Sequence, residues 1–202
     1  MDGAGTIVVL NGPPRAGKSS IAAAVQDRFD GLWLNLGVDA WALATPAYLL
    51  PGIGLRPDGE RPEVEAAVPL LFRGLYDAVA AQSRLGLNVV VDVGHHEAYA
   101  RPRHTLRDAA RRLSGLPAWL VGVRCPVDEV MRRRNASEPG TYVQAEREGD
   151  VPPPVRRWQE AVHQPGVYDL EVDTSQQRPD DCADAIAAMI AGRRATAFSR
   201  LA

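Results

Sequence analysis

Five short runs of almost continuous apolar residues punctuate the chain, at positions 6–10, 32–38, 88–93, 118–124 and 168–174. A strand buried on one face alternates apolar and polar side chains. One buried on both faces does not, so these runs predict the members of a parallel sheet. The segments between them are rich in alanine, leucine and arginine, with apolar residues at helical spacing: 18–29, 63–85, 103–113, 127–134, 155–162 and, beyond the last strand, 180–190. Strand and helix in alternation predict an α/β fold, a five-stranded parallel sheet with helices on both faces. Two stretches carry neither pattern. Residues 51–62 are rich in glycine and proline, and residues 138–154 mix Pro139, Gly140, Gly149 and the run Pro152-Pro153-Pro154 with charge. Loops of this length in a compact domain act as lids or binding segments, and a lid is expected over about 132–154. The chain has no internal repeat and no second core, so one domain over residues 1–202 is expected, with a frayed, flexible helical tail from about 192.

The first strand runs into Gly12-Pro13-Pro14-Arg15-Ala16-Gly17-Lys18-Ser19, which fits G-x-x-x-x-G-K-[ST], and the motif opens through Ser20 into an alanine-rich helix. Strand, loop and helix are the setting this chemistry needs. Glycine lets the backbone turn its N–H groups onto phosphate oxygens, and the helix N-terminus adds a favourable dipole. Lys18 is expected to reach the β- and γ-phosphates of ATP, and the Ser19 hydroxyl to ligate Mg²⁺. Val89-Val90-Val91-Asp92 supplies a carboxylate at a strand tip, the position from which such an acid holds Mg²⁺ directly or through water. A glycine-rich turn with an incidental lysine, or an aspartate that only caps a turn, is the plainer alternative for each.

Asp39 follows the second apolar run. Ligand crevices in open α/β sheets lie outside the carboxyl ends of the strands, so Asp39 is expected to share a crevice with the phosphate loop and to take the proton of an acceptor hydroxyl. The competing role is an N-cap for a helix beginning near Ala40. Arg132-Arg133-Arg134 leads into the long loop, where a guanidinium closes over a triphosphate; Arg133 is the candidate, and at most two of the three can face one ligand. Residues 40–50 are apolar and aromatic. With Trp41 next to Asp39, and with His95 and His96 after the third strand, they are expected to line the acceptor pocket and to favour a partly apolar, hydroxylated natural product. Trp33, Trp119 and Trp158 read as core.

Composition narrows the field. Hydrophobic residues make up 46% and charged residues 24% of the 202 residues, which suits a folded domain rather than a disordered chain. A formal net charge of −2 provides no basic field for nucleic acid or for anionic lipid, so neither a nucleic acid nor a membrane is an expected partner. Cys125 and Cys182 lack the spacing of a zinc or redox pair, and adjacent histidines lack the i,i+4 spacing of a zinc helix. The amino terminus has no basic segment and the first apolar run is too short for a signal or a membrane span, which makes a cytoplasmic location the expectation. Assembly into a homo-oligomer is left open by the sequence.

Leu10-Asn11-Gly12 leading into Ala16-Gly17-Lys18-Ser19, Gly37-Val38-Asp39 after Trp33-Leu34, Val121-Gly122-Val123-Arg124-Cys125, and Tyr168-Asp169-Leu170-Glu171-Val172-Asp173-Thr174 together resemble the chloramphenicol phosphotransferase family, in order and over nearly the whole chain. The resemblance implies a nucleoside-kinase-like fold, ATP with Mg²⁺, and phosphorylation of an antibiotic hydroxyl. It also implies that Asp39 is the base and that Arg133 belongs to the lid region. Val93-Gly94-His95-His96 departs from the family's pattern, which has a second acid followed by apolar residues there. Two other readings compete: a sugar, nucleoside or nucleotide-sugar kinase similar to zeta toxins, and a non-catalytic nucleotide-binding regulator. The chain has no N-K-x-D motif and no D-x-x-G after the third strand, which disfavours a GTPase-like switch.

Overall fold

The structure, a computed structural model, describes residues 3–57, 61–138, 142–145, 147, 149–192 and 194–202. Parts of both long loops, among them Pro139, Gly140 and residues 58–60, therefore lie outside the described residues. Five strands, β1 (Ile7–Asn11), β2 (Trp33–Asn35), β3 (Asn88–Val93), β4 (Ala118–Arg124) and β5 (Leu170–Asp173), form one parallel sheet in the order β2-β3-β1-β4-β5. The three central strands, β1, β3 and β4, are buried on both faces because successive side chains point to opposite sides and each side has its own helical layer. Ile7, Val9, Val89 and Val91 pack with Phe72, Leu75 and Val79 of α3 (Val68–Arg84), Ala109 of α4 (Thr105–Arg112) and Phe198 of α8 (Ala197–Leu201). On the other face, Val8, Leu10, Val90 and Val121 meet Ile21 and Val25 of α1 (Lys18–Arg28), Val130 of α5 (Val127–Asn135) and Ile186 of α7 (Pro179–Gly192).

From β1 the chain crosses to the edge strand β2, returns to β3, and only then passes to β4 and β5 on the other side. This reversal leaves a crevice outside the C-terminal end of β1, where Gly12 follows the strand directly.

Three elements depart from the pattern-based reading. The second apolar run holds two elements: β2 ends at Asn35, and Gly37 starts α2 (Val38–Ala44), so Asp39 lies in the first turn of a helix rather than at a strand tip. α3 begins at Val68 instead of 63; Pro69 takes the N-terminal position where its missing N–H costs nothing. The expected frayed tail is instead helical from Ala197 to Leu201 and docked. Ala197 and Phe198 are buried, and Asp169 Oδ1 accepts hydrogen bonds from Thr196 N (2.7 Å) and Ala197 N (2.9 Å), satisfying the donors at the start of α8. The remaining helix, α6 (Pro153–Ala161), follows the second long loop.

Candidate active site

A cavity of about 680 Å³ opens at the C-terminal end of β1. The phosphate-loop residues Gly12, Pro14, Arg15, Lys18 and Ser19 form one wall, and Val38, Asp39 and Ala42 of α2 form another. Lys18 folds back so that Nζ donates to the carbonyls of Gly12 (2.9 Å) and Pro13 (3.0 Å). Burial pulls its pKa down to about 8 against the opposing charges of Asp92 and Asp39. Pro13, Ala16, Gly17 and Ser20 do not line the cavity; Ala16 is buried and Ser20 is exposed on α1.

Ser19 Oγ donates to Asp92 Oδ2 at 2.7 Å, which joins the loop to the end of β3. Gly37 makes this arrangement possible: a Cβ there would stand 1.4 Å from Asp92 Oδ1. A serine hydroxyl beside a buried carboxylate offers two oxygen donors of the kind that suit a hard divalent cation. Among the described residues no group of three or more His, Cys, Asp or Glu side chains could hold a metal ion. Ser19 Oγ and Asp92 are the residues that could hold Mg²⁺, with phosphate and water oxygens as its other ligands. Lys18, Ser19, Asp39 and Asp92 are thus brought into one cavity.

Four other expected site residues are placed differently, and each placement has a physical reason. Trp41 does not line the cavity. It is half-buried in the α3-side core, its ring against Gly74, because Val38, Asp39 and Ala42 occupy the cavity side of α2 and position 41 turns toward α3. His95 is fully buried beneath the cavity and bonded on both ring nitrogens, to Tyr76 Oη (2.7 Å) and Thr105 Oγ1 (2.9 Å). Burial, with a smaller contribution from His96, pushes its pKa down to about 3. His96 is buried too, and its Nε2 donates to the Leu55 carbonyl at 2.8 Å. Both histidines support the pocket from outside it.

Arg133 is the fourth. Its guanidinium pairs with Glu129 (2.7 Å) and donates to Thr174 Oγ1 (3.1 Å), Thr174 O (2.7 Å) and Arg15 O (3.3 Å), tying α5 to the loop after β5 and to the phosphate loop. Of the three adjacent arginines, the one that lines the cavity is Arg134, one residue and about 100° further round the helix than Arg133. It is only 4% exposed, lies over the Tyr142 ring at 5.5 Å, and has its pKa lowered to about 10 by burial and by the charge of Arg56. Trp158 was also missed. With Pro154 and Val155 it lines the cavity from α6, its ring so close to Gly94 that a Cβ there would lie 2.7 Å away. Val155 and Pro154 lie three and four residues before Trp158, and that spacing was the available signal; it marks one helical face without saying what that face meets.

A parallel sheet in this order, with a G-x-x-x-x-G-K-S loop between its central strand and the first helix, defines the class of P-loop phosphotransferases of the kinase type. The sequence profile of the chloramphenicol phosphotransferase-like proteins matches residues 5–191, and the chain belongs to that family. A Mycobacterium tuberculosis protein named as a proposed O-phosphotransferase is 31% identical over 186 residues, covering 85% of this chain and 76% of the relative. Among solved structures, the APS kinase of Mycobacterium tuberculosis in complex with AMPPNP and APS superposes with a TM-score of 0.63 at 17% identity, covering 94% of this chain and 99% of the other. Shikimate kinase from Acinetobacter baumannii in complex with shikimate does so with 0.61 at 16% identity, covering 93% of each. The chain is an O-phosphotransferase, an enzyme that phosphorylates a hydroxyl. Among the described residues, no helix is long and apolar enough to cross a membrane.

Proposed function

We propose that this enzyme transfers the γ-phosphate of ATP to a hydroxyl of a small, partly apolar natural product of the antibiotic type. The observation that carries the reading is one cavity in which Asp39 shares the space with Lys18, Ser19 and Asp92, and in which Val38, Ala42, Leu50, Ile53, Leu55 and Trp158 form an apolar wall beside the charged side made by Arg15, Arg56, Arg61 and Arg134. A bare sugar would leave many hydroxyls against that wall without partners, whereas an apolar body with few hydroxyls would not.

The loop N–H groups and Lys18 hold the triphosphate at the start of α1. Ser19 Oγ and Asp92 would hold Mg²⁺, which when bound neutralises charge on the phosphate oxygens. Asp39 orients the acceptor hydroxyl and accepts its proton as the oxygen attacks the γ-phosphorus and the bond to the ADP oxygen breaks. A reaction that draws on ATP fits a cytoplasmic site of action. The test is an ATP-coupled panel of hydroxylated antibiotics, sugars, shikimate and nucleosides. Acceptor-dependent ADP release with an apolar antibiotic supports the proposal. A clear preference for sugars or shikimate over every apolar acceptor replaces it with a metabolic kinase of the zeta-toxin type, and tight ATP binding with no turnover on any acceptor replaces it with a regulator.

A further inference from the structure

Two guanidinium groups from separate segments meet at one aromatic ring inside the cavity. Arg15 of the phosphate loop and Arg134 at the end of α5 lie over the ring of Tyr142, 5.3 and 5.5 Å from its centre, and all three residues line the cavity. Among the described residues neither guanidinium is paired with a carboxylate, and the buried Nε of each has no hydrogen-bond partner. Arg15 uses Nη2 on the Arg133 carbonyl at 2.9 Å. Arg134, more than nine-tenths buried, makes only a long contact there, from Nη1 to the Val143 carbonyl at 3.4 Å. Most of their N–H donors are uncommitted, a costly state for buried cations unless an anion completes it.

The ring is held in place from α5. Two residues after it, Gln144 Nε2 donates to the carbonyls of Arg134 (3.1 Å) and Ser137 (2.9 Å), and Ala145 N donates to Asn135 Oδ1 (3.2 Å). Arg15 is brought to it from the other side by a left-handed backbone, φ 70°, which residues other than glycine seldom adopt. Two like charges at one place repel. An aromatic face attracts both, and a guanidinium stacked on a ring keeps its N–H edge free. A carboxylate in the same position would neutralise the arginines and compete with phosphate for their donors. The ring gathers the two cations and leaves their charge intact.

We propose that Tyr142 is a positioning residue for phosphoryl transfer, its ring holding Arg15 and Arg134 together so that both present free N–H groups to the transferring phosphate. In the transfer the acceptor oxygen bonds to the γ-phosphorus, the bond from that phosphorus to the departing ADP oxygen breaks, and the hydroxyl proton passes to Asp39. The equatorial oxygens carry the charge that the two guanidiniums meet. Tyr142 itself acts through the arginines, by the electron density of its ring and not by its hydroxyl. This deepens the kinase reading and rests on it.

The test replaces Tyr142 in the full chain by phenylalanine and by mono-, di- and trifluorophenylalanine. These rings keep nearly the same shape while fluorine withdraws electron density from the face that attracts a cation. The readouts are the transfer rate and, with Mg²⁺ present, equilibrium binding of ADP alone and of ADP with aluminium fluoride, which mimics the phosphoryl group in flight. Tyr142→Phe should lose no more than about threefold in rate. Each added fluorine should lower the rate and the fluoride-complex affinity further, to about tenfold or more below phenylalanine at three fluorines, with ADP affinity within about twofold and a level melting temperature. In the Arg134→Ala background the same series should decline by less than about threefold, because the ring has lost a partner through which it acts. A flat series in the wild-type background overturns the proposal. So does an undiminished decline in the Arg134→Ala background, an equal loss for ADP with and without fluoride, or a loss in Tyr142→Phe as large as at three fluorines, which would assign the role to the hydroxyl. Failure of the kinase reading would show separately, as wild-type protein that binds nucleotide yet gives no acceptor-dependent ADP release.

Discussion

At the scale of single residues, the proposed chemistry turns on the carboxylate of Asp39 and the amine of Lys18, which line one cavity. Asp39→Asn keeps the size and one acceptor oxygen but cannot take a proton. Transfer should slow by about 10²–10⁴-fold while the dissociation constant of a non-hydrolysable ATP analogue stays within about twofold. Stopped-flow transfer rates and calorimetry on the same variant check both halves. A collapse of nucleotide affinity at a normal rate per bound ATP would remove Asp39 from the acceptor side.

Lys18 gives a pH prediction with a definite sign. Its pKa in the free protein is about 8, below the ordinary value of 10.5, because burial disfavours the charged form. Phosphate needs the charged amine, so nucleotide affinity should hold below pH 8 and fall as pH rises above it, by up to about tenfold per unit until the amine in the complex itself titrates. The ligand-free fold responds in the opposite sense. The unfolded chain binds the proton more tightly, so stability contributed by this group rises between pH 8 and 10.5. Analogue titrations and chemical denaturation across pH 7–10 read the two trends. A flat affinity profile would mean that the buried amine stays charged throughout. Local pattern was enough to bring Lys18, Ser19 and Asp92 to one crevice, since a loop motif between strand and helix and an acid at a strand end are contiguous in sequence. His95 and His96 show where such reading stops. Their polarity is visible in the sequence, but only the fold shows that Tyr76, Thr105 and Leu55 have taken their ring nitrogens.

At the scale of elements, the helix α5 divides its arginines by direction. Arg132 points to solvent and pairs with Glu129, Arg133 locks onto Glu129 and Thr174, and Arg134 enters the cavity. Three adjacent residues on a helix are spread over about 200°, so the run announces a basic end to the helix but not which member faces a ligand. The structure makes the two inner arginines separable. Arg134→Ala should cut the transfer rate by about 10²–10³-fold, because a buried cation facing the triphosphate acts most on charge that develops in transfer. Arg133→Ala should act mainly on the geometry of the phosphate loop and the loop after β5, raising the KM for ATP and lowering the melting temperature with a smaller change in kcat. Steady-state kinetics and thermal denaturation on both variants decide it; a larger kcat loss in Arg133→Ala would return the catalytic role to that residue. The five strands and six of the helices were legible because buried runs and amphipathic periods are local signals. α2 was legible only as the competing reading, a helix beginning near Ala40, because Val38–Ala44 continues the apolar run of β2 and only Gly37 marks the break. α8 escaped because five residues are too few to display a helical period.

At the scale of the molecule, the sheet order puts the cavity between segments that lie far apart in sequence, and the acceptor wall is where this matters most. Proximity to Asp39 pointed to Trp41, yet α2 turns that ring into the α3-side core, and the indole at the cavity belongs to Trp158, more than a hundred positions later on α6. Trp158 also touches the ring of His96 edge-on at 5.0 Å, so its orientation is set by the same buried support that anchors Leu55. Because α6 begins where the second long loop ends, an acceptor resting on Trp158 would bear on the element that carries that loop. Trp158→Ala should therefore raise the KM for an apolar acceptor by about tenfold or more, as expected from losing a large buried aromatic contact, with little change in the KM for ATP. Trp41→Ala should leave the acceptor KM within about twofold and instead lower the melting temperature, because it opens a gap against Gly74 in the core. The two variants, assayed side by side with one accepted antibiotic and by thermal denaturation, separate wall from core. An acceptor KM that rises in Trp41→Ala and not in Trp158→Ala would place the acceptor on the outer side of α2 and reverse the assignment.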